Sequence, residues 1–268
     1  MIELPGRLVL LGHPVAHSLS PRFQNAALRA ARIELEYEAV DVAPADIAKM
    51  AHLLLDVRAA GNVTVPHKEA FAACCGQLSP VAKHTGAVNT FWTEDGMLVG
   101  DNTDVGGFDA AVRATVGAPK PGDVVAILGA GGSASGVLAA IERWEGVQAR
   151  IWSRTMERAE RLADRYSRIA RAEWNAETAV QGAALVINTT PVGRDDSLMP
   201  IDPSLLDPAG KAFDLVYKRG ETAWVHACRG HGMKASDGMP MLLEQGALAF
   251  ERWFGFAPDR AAMADACR

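Results

Sequence analysis

A chain of 268 residues with 49% hydrophobic and 22% charged content has the composition of a globular protein, and its length suits one large domain or two ordinary ones. The formal net charge of −5, with no long basic stripe, argues against nucleic acid or an anionic membrane as partner, and no apolar run reaches the length of a bilayer span. Residues 1–6 lack the charged-then-apolar pattern of a secretory signal, and Cys74, Cys75, Cys228 and Cys267 match neither a zinc spacing nor a disulfide framework, so a reducing, cytoplasmic setting without a metal is expected.

Strand-like and helix-like stretches alternate almost throughout, the pattern of an α/β protein with mainly parallel sheets. Residues 8–11 read as a short apolar strand. Residues 21–31 read as a helix with Ser20 as N-cap and Pro21 in its first turn. His13 and His17 stand four apart, but Pro14 between them argues against a shared helical face, and no metal pair is read there. A strand is expected at 36–40 and a helix at 45–54, with Ile47, Met50, Ala51 and Leu54 on one face. Residues 61–65 read as a strand, followed by a helix near 68–74. Strands at 87–92 and 97–99 flank Glu94-Asp95-Gly96, a hairpin in an otherwise parallel sheet.

A helix at 105–116 and a Pro-Gly linker at 119–122 lead to Val124-Val125-Ala126-Ile127-Leu128, a β-branched strand that runs into Gly129-Ala130-Gly131-Gly132-Ser133-Ala134. A helix from 134 to 144 and a strand within 148–155, ending in Arg154, complete a βαβ unit. Glycines there let the backbone approach a pyrophosphate, and the helix N-terminus offers it free N–H groups. An NAD site places an acidic residue about 20 residues on, at the end of the second strand. Ser153, Arg154 and Thr155 stand there instead, with Arg158 one turn later; a guanidinium grips a 2′-phosphate that a carboxylate would repel. The alternative, a solvated helix start, sets cations against the helix dipole unless an anion is bound. The chain therefore reads as an NADP(H) binder. Further strands are expected at 185–188 and 212–214, and helices near 222–231 and at 239–254, the last packing back onto the first domain. The expected division is residues 1–101 plus 239–268 as a substrate domain and 102–238 as a Rossmann-like NADP domain, with a cleft between them.

A nicotinamide enzyme must also manage one proton on the substrate oxygen. The loop from Gly61 to Lys68 presents a lysine at a strand end, and the loop from Gly100 to Asp104 presents an aspartate at the domain boundary. A carboxylate can fix an ammonium that holds and delivers a proton. Equally, Lys68 could be an exposed helix residue and Asp104 an N-cap. Ser18 and Ser20 place two hydroxyls at a helix start, which suits a small carboxylate, although Ser20 could be a cap alone.

Together these loops resemble, nearly end to end, the shikimate dehydrogenase family, NADP-dependent enzymes that reduce 3-dehydroshikimate to shikimate in aromatic amino-acid biosynthesis. Ser18 and Ser20 fall in that family's His-Ser-x-Ser-Pro loop, Thr64 and Lys68 in Asn-Val-Thr-x-Pro-x-Lys, Asn89 in Gly86-Ala87-Val88-Asn89-Thr90, and Asp104 in Asn-Thr-Asp. The resemblance implies Lys68 and Asp104 as the catalytic pair, Ser18 and Ser20 on the substrate carboxylate, and Thr64 and Asn89 on ring hydroxyls, with Asn62 nearby. Ser153-Arg154-Thr155 resembles the family's Asn-Arg-Thr clamp. Residues 188–193 resemble its loop beside the cofactor, with Thr189 in contact. Tyr217 is implied on the substrate carboxylate, Gln245 on substrate, and Gly238 and Met241 at the nicotinamide.

Several residues depart from the family pattern: Ser153 for asparagine, Arg194 for a frequent methionine, Lys218-Arg219 after the tyrosine, and Phe254 where threonine is common. None removes an implied catalytic group. A quinate/shikimate dehydrogenase of broader specificity and a non-catalytic NADP-binding regulator remain the alternatives. No dehydratase domain is expected at this length, and the partner is expected to be a small molecule bound by a monomer or homodimer.

Overall fold

The computed structural model describes residues 4–195, 198–218 and 220–268; Arg219 lies outside them. The chain divides into two compact units, Met1–Gly107 with Leu242–Arg268, and Phe108–Met241. The boundaries expected from sequence, after Asp101 and before Met239, fall a few residues earlier at both crossings.

In the first unit, β1 (Leu8–Gly12) is followed by α1 (Ser20–Ala30), β2 (Tyr37–Asp41), α2 (Ile47–Asp56), β3 (Ala60–Val63), α3 (Lys68–Ala72), β4 (Gln77–Leu78), α4 (Pro80–Thr85), β5 (Thr90–Glu94) and β6 (Met97–Asp101). They build a six-stranded sheet in the order β2-β1-β3-β5-β6-β4. β1 pairs in parallel with β2 and β3, and β4 with β6, while β5 runs antiparallel to β3 and β6. Every residue of β1 is buried, as a strand covered on both faces requires. Glu94 faces Met97 in register, so Asp95 and Gly96 alone make the turn, at φ 49° and 72°. Two left-handed residues in succession give the type I′ turn, whose twist matches the strands it joins. Val9, Leu11, Ile47, Leu54, Val63, Phe71 and Phe91 share one core, with the Phe71 and Phe91 rings 4.8 Å apart.

Local expectations in this unit need correction. Ser20 is not the N-cap of α1: Leu19 is, in the helical region at φ −83°. Ser18 binds this end instead, its Oγ accepting from the Ser20 N–H at 3.2 Å. The strand expected through Val65 stops at Val63, where Pro66 ahead removes a donor that a continuing ladder would need. β4 and α4 were not anticipated, although Ser79 caps α4 by accepting from the Ala82 N–H at 3.0 Å, Pro80 follows, and Gly86 ends it at φ 67°. That Ser-Pro start and glycine stop is a legible helix signal.

The chain enters the second unit within α5 (Asp104–Thr115) and continues through β7 (Val124–Leu128), α6 (Gly132–Ile141), β8 (Gln148–Trp152), α7 (Met156–Arg165), β9 (Ala170–Ala172), α8 (Ala176–Val180), β10 (Leu185–Asn188), β11 (Lys211–Asp214), α9 (Ala223–Gly230) and β12 (Lys234–Ser236). All six strands are parallel, in the order β12-β11-β10-β7-β8-β9. This is the doubly wound order, which reverses between β7 and β10 and so opens a ligand crevice at their carboxyl ends. β8 ends at Trp152, short of Arg154, where the strand was expected to end. Its partner β7 stops at Leu128, opposite Trp152, and the Gly129 turn leaves residue 153 no strand to pair with. α7 buries only Ala159, Leu162 and Ala163; its charged remainder faces water. Phe108 anchors α5 in this unit, its ring 5.9 Å from Trp144 and 5.5 Å from Phe213.

α10 (Met239–Phe254), with the bounds expected from sequence, and α11 (Arg260–Asp265) close the chain. From Leu242 onward they belong to the first unit. Gln24 on α1 donates to the Gly246 carbonyl at 2.9 Å. A Cβ at Gly246 would lie 2.4 Å from the Phe23 ring, so only glycine permits this approach of α10 to α1. Among the described residues no helix is long and apolar enough to cross a membrane.

Candidate active site

Lys68 opens α3 and Asp104 opens α5, and the fold of the first unit brings their side chains together. Lys68 Nζ lies 2.5 Å from Asp104 Oδ2, with the two side chains only 12% and 6% exposed. Lys68 is thus no exposed helix residue. Nor does Asp104 act as an N-cap: it is the first residue inside α5, its N–H donates to Asn102 Oδ1 at 3.1 Å, and its carboxylate binds Lys68 and Asn89. Asn89 Nδ2 donates to the other carboxylate oxygen at 2.8 Å, to Thr103 Oγ1 at 3.0 Å and to Gln245 Oε1 at 3.2 Å. Its Oδ1 accepts the Thr103 N–H at 2.7 Å. A buried ion pair survives only where such hydrogen bonds satisfy its remaining lone pairs.

The sequence pattern did not reveal how Asn62 is used. Its Oδ1 accepts from the Tyr37 hydroxyl at 2.7 Å, and its Nδ2 donates to the Asn89 carbonyl at 3.0 Å, so it braces Asn89. Thr64 is half-buried beside the end of β1. A Cβ at Gly12 would come within 2.6 Å of its methyl group. Ser18 is half-buried and Ser20 is buried. The loop between β1 and Ser18 is fastened by a pair not anticipated from sequence. His13 Nδ1 lies 2.6 Å from Asp41 Oδ1, and Asp41 Oδ2 accepts the Val15 N–H at 3.2 Å. The His13 hydrogen bond holds the Asp41 carboxyl below its ordinary range.

The second unit carries the glycine turn at the carboxyl end of β7. Gly129 adopts φ 113°, and a Cβ there would stand 2.5 Å from Thr189 Oγ1. Thr189 Oγ1 in turn donates to the Leu128 carbonyl at 2.9 Å. Gly131 is the N-cap of α6 and makes no side-chain cap bond, and a Cβ on it would meet nothing within 4 Å. Uncapped N–H groups of Gly132, Ser133 and Ala134, with open space beside Gly131, suit a pyrophosphate. Arg154 and Arg158 are exposed, and neither guanidinium has an ion-pair or hydrogen-bond partner among the described residues. Ser153 Oγ accepts the Thr155 N–H at 3.4 Å, which shapes the turn before α7. The residues present therefore fit a dinucleotide bearing a 2′-phosphate.

Asp214, at the end of β11, is fully buried. Its Oδ1 accepts from Asn188 Nδ2 at 2.8 Å and from the Val216 N–H at 3.0 Å, and its Oδ2 accepts from Thr222 Oγ1 at 2.8 Å. Burial, with Asp237 nearby, pushes its pKa up to about 6 against the pull of these three donors. Asp214 was not singled out from sequence, although it closes the strand expected at 212–214 and stands three residues before Tyr217. Tyr217 is half-buried and lies in the second unit with Gly238 and Met241, whereas Ser18, Ser20, Thr64, Lys68, Asn89, Asp104 and Gln245 lie in the first.

Residues 10–91 match the shikimate dehydrogenase substrate binding domain, and residues 238–268 match the shikimate 5′-dehydrogenase C-terminal domain. The chain is 40% identical to the NADP(+) shikimate dehydrogenase of Mesorhizobium japonicum, over 96% of this chain and 94% of that one. It superposes with a TM-score of 0.89 on the Thermus thermophilus shikimate 5-dehydrogenase crystallised with NADP(H) and shikimate, at 38% identity and 99% coverage of both chains. The shikimate dehydrogenase of Aquifex aeolicus gives a TM-score of 0.91 at 32% identity, with 100% of each chain covered. Identity at this level along nearly the whole length places the chain in the shikimate dehydrogenase family.

Proposed function

We propose that this protein catalyses the NADP-dependent, reversible reduction of 3-dehydroshikimate to shikimate. The observation that carries the reading is the buried Lys68–Asp104 pair at 2.5 Å. NADPH, when bound, supplies the hydride to the C3 carbonyl carbon. Lys68 donates a proton from Nζ to the carbonyl oxygen as charge develops there, and Asp104 holds the Nζ aimed at it. Asn89, Thr64 and Gln245 hydrogen-bond the ring hydroxyls. Ser18 and Ser20, at the start of α1, take the carboxylate, for which the family resemblance also implies Tyr217.

The first unit is the substrate domain and the second holds NADP(H). The Gly129–Ala134 turn takes the pyrophosphate, and Arg154 and Arg158, with Ser153 and Thr155, take the 2′-phosphate. Thr189, Gly238 and Met241 line the nicotinamide. The reaction needs no metal, nucleic acid or membrane, and we place the enzyme in the cytoplasm as a monomer or homodimer.

The test is absorbance at the reduced-nicotinamide band with shikimate or quinate and NADP or NAD, in all four combinations. Turnover dominated by shikimate with NADP is expected. Comparable quinate turnover, or a preference for NAD, would replace the reading with a broader dehydrogenase. NADP binding without turnover would replace it with a regulator.

A further inference from the structure

The connections that leave the carboxyl ends of β10 and β11 in the second unit meet at Asp214, which holds three points on them. Through Asn188 it holds the segment after β10, where Asn188 Oδ1 accepts from the Thr190 N–H at 3.0 Å and from its hydroxyl at 2.7 Å, and Asn188 Nδ2 also reaches the Val192 carbonyl at 3.0 Å. Through the Val216 N–H it sets the residue before Tyr217. Through Thr222 it holds the start of α9, where Thr222 Oγ1 also accepts the Val225 N–H at 3.3 Å. Gly238 packs on the same spot: a Cβ there would lie 2.3 Å from the Leu215 carbonyl oxygen. Asp214 and Asn188 are both fully buried, so no solvent stands in for a lost partner.

In a doubly wound sheet a dinucleotide lies across the switch point, with one mononucleotide on each half. Arg154 and Arg158 follow β8, which puts the adenosine 2′-phosphate on the β7-β8-β9 half. The nicotinamide mononucleotide then falls to β10, β11 and β12, the half that Asp214 braces. We propose that Asp214 is the positioning residue of the nicotinamide half-site, joining the segments that carry Thr189, Tyr217 and Gly238 into one rigid body while leaving the adenosine half untouched. This rests on the NADP reading above.

A positioning role is separable from a general structural one by comparing NADP+ with 2′,5′-ADP, which keeps the 2′-phosphate adenosine and lacks the nicotinamide. In Asp214→Asn, near-identical in shape, an N–H group replaces an acceptor. Dissociation constants would be measured by calorimetry on the purified protein, with thermal melts alongside. Asp214→Asn should weaken NADP+ on the order of tenfold or more, as loss of hydrogen bonds to a buried charge does, and leave 2′,5′-ADP within about twofold of wild type. Equal weakening of both ligands, or of neither, overturns the proposal. Should Asp214→Asn fail to fold, Asn188→Ala cuts the brace at one arm and must show the same selective loss; an unselective effect there also overturns it. Wild-type protein that binds no 2′,5′-ADP would overturn the NADP reading and this inference with it, a result distinct from normal fragment binding with an unaffected Asp214→Asn.

Discussion

Lys68 and Asp104 are 36 residues apart in sequence and 2.5 Å apart in space, each at the first residue of its helix. That geometry makes Lys68→Ala the most direct test of the chemistry. It should lower kcat/KM by about 10²–10⁴-fold, the usual yield of a positioned general acid. Calorimetry should find NADP+ affinity nearly unchanged, since every residue assigned to the cofactor lies in the other unit. An equal loss of cofactor binding would make the lysine structural.

Arg154 and Arg158 have no protein partner among the described residues, so their removal costs the fold little. Arg154→Ala should raise the KM for NADPH by about 10–100-fold, the worth of a charge-assisted bidentate contact. The KM for NADH should stay where it is, because NADH has no 2′-phosphate. Steady-state kinetics with both cofactors checks this. A parallel rise for NADH would show that the guanidinium serves the fold or the pyrophosphate instead.

Asp214 links stability to pH in the direction opposite to a salt-bridged carboxylate. Its folded pKa, about 6, lies above the ordinary 3.8, so the folded state holds the proton more tightly than the unfolded chain. The stability this contributes is complete below pH 3.8 and is lost as pH rises through about 6. The shift corresponds to about 3 kcal/mol. Urea unfolding of wild type and Asp214→Asn at several pH values isolates it, because the other carboxylates titrate in both. The wild-type advantage should shrink by about that amount between pH 3.5 and pH 7.5. A difference independent of pH would mean that Asp214 titrates normally.

Two glycines with positive φ should respond differently to alanine. Gly96 sits at φ 72° with nothing within 4 Å of an added Cβ, so Gly96→Ala should cost about 1–2 kcal/mol of stability from backbone strain alone. Its kcat and KM should not move. Gly129 combines φ 113° with a contact 2.5 Å from Thr189 Oγ1. Gly129→Ala should therefore cost more stability and also weaken NADP+ binding, read by thermal melts and calorimetry. Undisturbed cofactor binding in Gly129→Ala would remove this turn from the cofactor site.

The amino-acid sequence by itself determined the features written within a few consecutive residues. The apolar run of β7 turning at Gly129 into α6 is such a feature, as are the Asp95-Gly96 hairpin turn and the bounds of α10. Each follows from side-chain periodicity or from a backbone conformation that one residue type adopts cheaply. Only the tertiary structure decided which polar groups spend their hydrogen bonds on one another. Ser20 and Asn62 illustrate this: the same residue types could serve as a cap and as a free ligand, and a one-residue shift of α1 and the approach of Tyr37 settled otherwise. Asn89 reaches Gln245 across 156 residues of sequence, and Asp214 becomes a buried junction only once β10, β11 and α9 are in register. Such pairings depend on long-range strand order and on the desolvation that packing imposes, and neither is encoded in local spacing.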